Sequence, residues 1–483
     1  MSDSKRVAPW AWVTVAVVSF AYVSLPASAD PRSDFFQPDF FGTAGALQKR
    51  TLGMTNPFGR SCALPAGALT LSAAIDLALC KNPATRSAWA AAHQQAAVLG
   101  AAESAWLPDI SATGSADRTF GTHLDNSGVI TSADQTIKDA AVNLAWTLYD
   151  FGTRGGKIKS ARYLLDAAAA TANSVSQQTI VNVVQAYYGA VSADAGLVAT
   201  QITQDTAAHS LEIAKTLRTG GVSTLADVLQ AETAYDQAVL ARIQAAQTSQ
   251  TSHGSLAVVL GLSATQPLKL APETVPSQAP ALSARLEDLM TEAARQRPDL
   301  KAARAERDAA LEDITVARAA GRPSISISAG HTTLNQTGTS TLNSGQIGIN
   351  VTVPIFTGFS VAYGVRHAQA VLEQREANAE QIRLNVSLDV WNGYYSLDSA
   401  NQQLGTTATL VKTATNNQEV ALGRYQAGVG TIIDLLTAQT AAASARQVRI
   451  TAELNWEVAR AQLALALGRL SGAEPLTSED TLP

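Results

Sequence analysis

One long internal repeat limits the folds open to this chain more than any other feature. The stretch LRTGGVSTLADVLQAET, Leu217 to Thr233, returns as RYQAGVGTIIDLLTAQT, Arg424 to Thr440. Gly221, Val222, Thr224, Asp227, Leu229, Ala231 and Thr233 recur at an offset of 207 as Gly428, Val429, Thr431, Asp434, Leu436, Ala438 and Thr440. Earlier, LSAAIDLALCKNP (Leu71 to Pro83) matches LEDLMTEAARQRP (Leu286 to Pro298) at an offset of 215, and Pro108 matches Pro323 at the same offset. Tyr187-Tyr188 pairs with Tyr394-Tyr395, and Leu260-Gly261 with Leu467-Gly468, at 207 again. Self-similarity on this scale makes the repeat, rather than the 483-residue length, the unit of architecture. The eight-residue change of offset (215 − 207) falls in or near a stretch beginning around Asp117, read as a surface loop.

The repeats are expected at 69–269 and 285–470, joined by a linker at 270–284 rich in proline and small residues. Residues 471–483 read as a C-terminal tail. Lys5 and Arg6 precede an apolar run, and Ala27-Ser28-Ala29 precede Asp30, so residues 1–29 read as a cleaved secretory signal peptide. The alternative is an uncleaved anchor, since Val7 to Leu25 is nearly long enough to cross a bilayer. Residues 30–68, rich in Phe, Pro and Gly, read as an extended N-terminal tail. No Cys follows the cleavage site to carry a lipid anchor, and no later apolar run is long enough for a transmembrane helix. Export makes a disulfide between the two cysteines, Cys62 and Cys80, an expectation, with two separate buried thiols the alternative.

Within each half the order of elements reads helix, strand, strand, very long helix, turn, helix. No proline occurs between Pro108 and Pro267 or between Pro354 and Pro475, which permits long helices there. Leu165, Ala168, Ala172, Val175, Thr179, Val183, Ala186, Ala190, Ala193 and Leu197 step by threes and fours along one helix face. The same seam returns as Leu372, Arg375, Ala379, Ile382, Val386, Val390, Gly393, Leu397, Ala400 and Leu404, with Arg375 its one charged member. A helix from about Gly152 to Leu217 is roughly 100 Å long at about 1.5 Å per residue. That length points to a coiled-coil-like tube or stalk rather than a globular helix.

Between the helices, QIGINVTVPIF alternates Ile347, Ile349, Val351 and Val353 with small or polar residues, and SISISAG alternates Ile325 and Ile327 with serines. Val142, Leu144, Trp146 and Leu148 alternate likewise in the first half. Strands of about ten residues with one apolar face are what an outer-membrane barrel uses; a soluble half-buried hairpin has the same pattern. Two hairpins supply four strands, whereas lipid-spanning barrels need about eight or more, because an edge open to lipid leaves backbone groups unpaired. If the hairpins enter a membrane, chains must pool them.

The twin phrases carry Thr224-x-x-Asp227 and Thr431-x-x-Asp434, each a helix capping box, after Gly221 and Gly428, which fit left-handed helix ends. A net charge of −5 without a basic excess argues against nucleic acid as a partner. His93, His123, His209, His253, His331 and His367 stand apart, without metal-ligand spacing. With no G-x-S-x-G, phosphate loop or dinucleotide fingerprint either, neither an enzyme nor a cofactor is expected.

Signal peptide, tandem halves, strand pairs, overlong helices and twin G-V-x-T-x-x-D phrases together make the chain resemble the TolC family of outer-membrane exit ducts, from about Leu69 to Leu470. The resemblance implies a mainly α fold with a membrane β-barrel: a homotrimer sharing twelve strands among outer-membrane lipid, above a helical tunnel in the periplasm. It implies a periplasmic adaptor (membrane fusion) protein and an inner-membrane transporter as partners. The cysteines in SCALPAG and LALCKNP look like those of members serving type I protein secretion; a drug or metal efflux pump is the alternative use. The resemblance places the twin phrases at the periplasmic tip, Asp434 at a pore constriction with Asp227 as its repeat-mate, and Tyr425 in a latch. The sequence departs from the best-known members at Gly430, where they carry an arginine latch, and at Thr437, where they carry a second constriction aspartate. The repeat-mate of Tyr425 is Arg218, so the latch is expected as Tyr425 or Arg218 bonded to Asp227 or Asp434. Three copies of Asp434 on one axis should repel one another, raising their pKa values and drawing cations to the mouth. An extracellular helical stalk or adhesin remains the competing class; a stalk has no use for four strands at matching points of the two halves.

Overall fold

In the computed structural model, residues 39–43, 45, 47, 62–65, 67–124, 128, 130–271, 285–338 and 340–470 are described. The expected signal peptide, the C-terminal tail, and most of the N-terminal tail and linker lie outside them. The chain divides into Met1–Gly42, described only at 39–42, and Thr43–Pro483, which holds every element named below. Those elements run α1 (Leu71–Lys81), α2 (Pro83–Ser104), β1 (Asp109–Leu124), β2 (Ile130–Tyr149), α3 (Thr153–Thr219), α4 (Leu225–Val259). The same order then recurs as α5 (Leu286–Gln296), α6 (Pro298–Ala319), β3 (Ser324–Gln336), β4 (Leu342–Thr352), α7 (Ser360–Gln426) and α8 (Ile432–Leu467).

Local chemistry sets most element ends. Helices α2 and α6 start on Pro83 and Pro298, whose missing N–H would be unpaired there in any case. Asn82 caps α2 by accepting from Ala84 N at 2.8 Å. Each of the two proline-free stretches contains a helix of 67 residues, about 100 Å long. Strand β4 stops at Thr352, two residues before Pro354, so Val353 to Phe356 continue the apolar alternation as irregular chain.

Along the seam of α3, Leu165, Ala172, Thr179, Val183 and Ala190 are buried. On α7 the seam is buried only from Val386 to Leu404; Arg375 is exposed and paired with Glu306 at 2.7 Å. Small residues set the helix spacing. A Cβ on Gly393 would stand 3.3 Å from the Leu463 Cα, so α7 and α8 meet almost backbone to backbone there.

The same closing contact appears in both repeats. Gly261, after α4, takes φ +75° and lies against the α1–α2 corner, where a Cβ would fall 2.7 Å from Lys81 O. Gly468, after α8, takes φ +73° against the α5–α6 corner, with Arg297 N at 3.1 Å. Tyr187 adds a buried tie in the first repeat, its hydroxyl donating to Leu69 O at 3.0 Å.

The strands form one antiparallel sheet in the order β1-β2-β3-β4, so β2 and β3 join the repeats, with Leu144 opposite Ala329. Among the described residues the β1–β2 ladder continues past Asp117 to Leu124 opposite Ile130. This corrects the surface-loop expectation and makes β2 a 20-residue strand. Opposite charges support that extension, as Arg118 grips Asp134 through two hydrogen bonds of 3.0 Å.

Candidate functional site

At the end of the unit opposite the sheet, α3 turns into α4 and α7 turns into α8. Each turn starts from a carbonyl of the last helical turn. Leu217 O accepts from Val222 N at 2.8 Å while Gly221 takes φ +77°. Arg424 O accepts from Val429 N at 3.0 Å while Gly428 takes φ +69°. Left-handed φ without steric penalty is the reason for glycine at both positions.

Each following helix opens with a complete capping box. Asp227 N donates to Thr224 Oγ1 at 3.2 Å and Thr224 N to Asp227 Oδ2 at 2.8 Å. In the second turn, Asp434 N donates to Thr431 Oγ1 at 3.1 Å and Thr431 N to Asp434 Oδ2 at 3.3 Å. Both carboxylates therefore satisfy helix-end donors first.

One apolar cluster binds the turns side by side: Leu211, Ala214, Val228, Ala231, Tyr425, Ile432 and Leu435. Beneath it, Gln439 Nε2 donates to the buried Ser210 Oγ at 2.6 Å, tying α8 to α3. The sequence-predicted residues thus share one end of the structure, but the expected latch does not form within the chain. Among the described residues, no hydrogen bond or ion pair joins Tyr425 or Arg218 to Asp227 or Asp434. Tyr425 is 4 % exposed, a member of the core, and its hydroxyl lacks a hydrogen bond of ordinary geometry. Burial, reinforced by the Asp227 charge and partly offset by the Ser223 hydroxyl, pushes the Tyr425 phenol above its usual pKa. Arg218 is exposed.

Asp434 is exposed, and within one chain its pKa lies below the usual carboxylate range rather than above it. The Thr431 hydroxyl and backbone N–H stabilise the anion, and the Arg424 charge adds to them. Sequence reading passed over Arg424; its spacing of ten from Asp434 carries no helical signal across a turn.

A cavity of about 560 Å³ opens between α4 and α8 near the turns, lined by Gln230, Ile433, Leu436, Thr437, Thr440, Ala441 and Ser444. Its walls hold no titratable group. A Ser-Asp-His cluster exists elsewhere, with Ser249 Oγ and His253 Nε2 both on Asp194, at 2.6 and 2.9 Å. No bond joins Ser249 to His253, so the arrangement lacks a nucleophile held by its base. Among the described residues no group of three or more His, Cys, Asp or Glu has the placement to hold a metal ion. Cys62 and Cys80 are joined by a disulfide with Cα atoms 6.2 Å apart, which ties the tail to α1.

At the other end, the sheet turns one apolar face outward. Ile110, Leu144, Ala329 and Ile347 lie opposite one another across the four strands, on the same face as Ile349 and Val351. Ile347, Ile349 and Val351 are 83, 70 and 61 % exposed, and Tyr149, Phe151, Phe356 and Phe359 crowd the strand–helix junctions below them. Exposed apolar strands bordered by aromatic rings match a lipid-facing band. Among the described residues no helix is long and apolar enough to cross a membrane.

An outward apolar sheet over long paired helices with capped twin turns defines the class of outer-membrane channels. The sequence model of the outer membrane efflux protein family matches residues 74–262 and 289–469, and the chain belongs to that family. Protein CyaE of Bordetella pertussis is 33 % identical over 389 residues, covering 78 % of this chain and 80 % of the relative. Outer membrane protein TolC of Vibrio cholerae is 23 % identical over 352 residues, covering 70 % and 78 %. The open-state MtrE outer membrane channel of Neisseria gonorrhoeae shares the fold at TM-score 0.70 and 21 % identity, covering 82 % of this chain and 88 % of that one. The protein is an outer-membrane channel, and its family is not one of enzymes.

Proposed function

We propose that three copies of this chain form the exit duct of a tripartite export system, conducting cargo passively from an inner-membrane transporter and a periplasmic adaptor to the exterior. The open order of the sheet carries this reading. Strands β1 and β4 are its two edges, and the outward face between them is apolar. Bare edges in lipid leave backbone groups unpaired at several kcal/mol each, so β4 of one copy must meet β1 of the next. Three copies give a closed barrel of about twelve strands, within the range that outer-membrane barrels occupy. The two repeats, 69–269 and 285–470, each contribute one hairpin and one helical turn to this assembly.

Type I protein secretion is the proposed use, supported by the Cys62–Cys80 disulfide, whose cysteines look like those of members serving it. The family's own description, outer membrane efflux, supports efflux of drugs or metals as the second reading. Fractionation with heat-modifiable gel mobility tests the assembly: a detergent-extracted trimer in the outer membrane is expected, and a soluble monomer sinks the proposal. Co-expression with candidate transporter and adaptor pairs, scored for export of protein or small molecules, separates the two uses.

Asp434 is proposed to line the pore mouth, with capping and lining held by the same carboxylate. Asp434→Asn should weaken block of single channels by multivalent cations in planar bilayers. Unchanged block would remove Asp434 from the lining.

A further inference from the structure

The two turns do the same backbone work with different side chains. Leu217 and Arg424 are repeat-mates at the offset of 207, as are Arg218 and Tyr425. In the first turn the apolar anchor is Leu217, packed against the tip cluster, and the cation follows it at Arg218. In the second turn the anchor is Tyr425, buried inside that cluster, and the cation precedes it at Arg424. Neighbouring helical residues point about 100° apart. The guanidinium of Arg424 therefore leaves the helix on the side that the first repeat fills with aliphatic carbon.

Three observations tie that guanidinium to Asp434. Arg424 is exposed, and among the described residues its side chain makes no hydrogen bond or ion pair. Its carbonyl accepts from both Val429 N and Gly430 N, at 3.0 and 3.1 Å, so residue 424 is fixed against the turn that leads into the Thr431–Asp434 box. Its charge reaches the Asp434 carboxylate and favours the ionised form.

Gly430 completes the argument by having no side chain. A Cβ there would stand 3.1 Å from Arg424 Cβ and 3.2 Å from Tyr425 N. A larger residue at 430 would have to push the end of α7 back by a few tenths of an ångström. The turn folds back tightly on residue 424 at this point, which holds the Arg424 backbone in place.

We propose that Arg424 sets the ion selectivity of the mouth, its guanidinium offsetting the Asp434 carboxylate so that anions and acidic polypeptide segments are not turned away. The proposal rests on the reading of the twin turns as the pore mouth. In the second turn each chain then presents one negative and one positive group, and the cation-attracting field of the Asp434 ring is largely cancelled.

Purified oligomer in planar bilayers under a potassium chloride gradient tests this, with reversal potential and magnesium block as readouts. Arg424→Gln should move the reversal potential toward cation selectivity and tighten magnesium block roughly fivefold, the order expected when a unit positive charge that repels a divalent ion through water is removed. Arg424→Lys should keep wild-type values, and Asp434→Asn combined with Arg424→Gln should abolish the gain in block. Heat-modifiable mobility of Arg424→Gln confirms an intact assembly before recording. Conducting Arg424→Gln channels with wild-type selectivity and block would overturn the proposal alone; no channels from the wild-type protein would overturn the duct reading itself.

Discussion

Gly261→Ala is expected to lose about 2–5 kcal/mol of stability, read as a lower temperature at which the detergent-extracted assembly gives way to monomer. Two effects combine. At φ +75° a side chain is strained by about 1–2 kcal/mol. The added Cβ also meets Lys81 O at 2.7 Å and Lys81 C at 2.8 Å, which are backbone atoms at a helix corner and yield only by moving α1 and α2 together. Overpacking of that kind costs about 1–3 kcal/mol. Gly468→Ala is the internal comparison, since its φ is +73° but its nearest contacts are 3.1 Å. It should lose less. Equal losses at the two positions would assign the effect to backbone strain alone, and no loss at Gly261 would refute the close approach.

Arg154→Met should cost about 3–5 kcal/mol, because it removes one member of a buried charge network. The Arg154 and Asp150 side chains are 8 and 14 % exposed, with Nε donating to Asp150 Oδ2 at 2.9 Å. The remaining guanidinium protons go to Thr147 O at 2.6 Å, Leu148 O at 3.1 Å and Ala105 O at 3.2 Å, and the group stacks 4.2 Å from the Trp106 ring. One side chain thereby pins the end of β2 and the end of α2 to the start of α3. Methionine keeps much of the volume but leaves three carbonyls without the guanidinium and Asp150 without its cation, although the carboxylate still accepts from the backbone N of residues 152 and 154. Lysine cannot reproduce the planar fork, so Arg154→Lys should also destabilise. The readout is the same thermal transition, and a change under about 1 kcal/mol in both variants would show that water replaces the network at no loss.

The repeat-mate of Arg154 is Val361, which packs on Gly321 with a prospective contact of 3.0 Å. The two strand-to-helix elbows are therefore held by different forces, ionic in one half and van der Waals in the other. Nothing in the spacing of Arg154 announced this, because its carbonyl partners come from the ends of two separate elements, α2 and β2. Tyr425 gave the opposite lesson. Its place in the repeat marked it as a partner for an aspartate, yet tertiary packing buries it among Leu211, Val228 and Leu435. Burial follows from the approach of α3 to α8 beside the turns, which no local pattern records.

Features that depend on neighbours within a few residues were legible. The absence of proline over long stretches and the stepping of Leu165, Ala172 and Val183 foretold the 67-residue helices. Thr224 with Asp227 and Thr431 with Asp434 foretold both capping boxes, since donor and acceptor sit three residues apart in any helix start. The alternation of Ile347, Ile349 and Val351 foretold a strand with an exposed apolar face.

By itself, then, the sequence determined the repeat, the lengths of the helices, the strand alternation and the chemistry of the two turns, all of which obey short-range rules of backbone sterics and hydrogen bonding. Only the tertiary structure decided that the hairpins merge into one sheet through β2 and β3, that the first ladder runs on to Leu124, and that Tyr425 enters the core while Arg424 stays outside. Those outcomes depend on contacts between residues far apart in the chain. Many pairings satisfy the same local preferences, and packing selects among them.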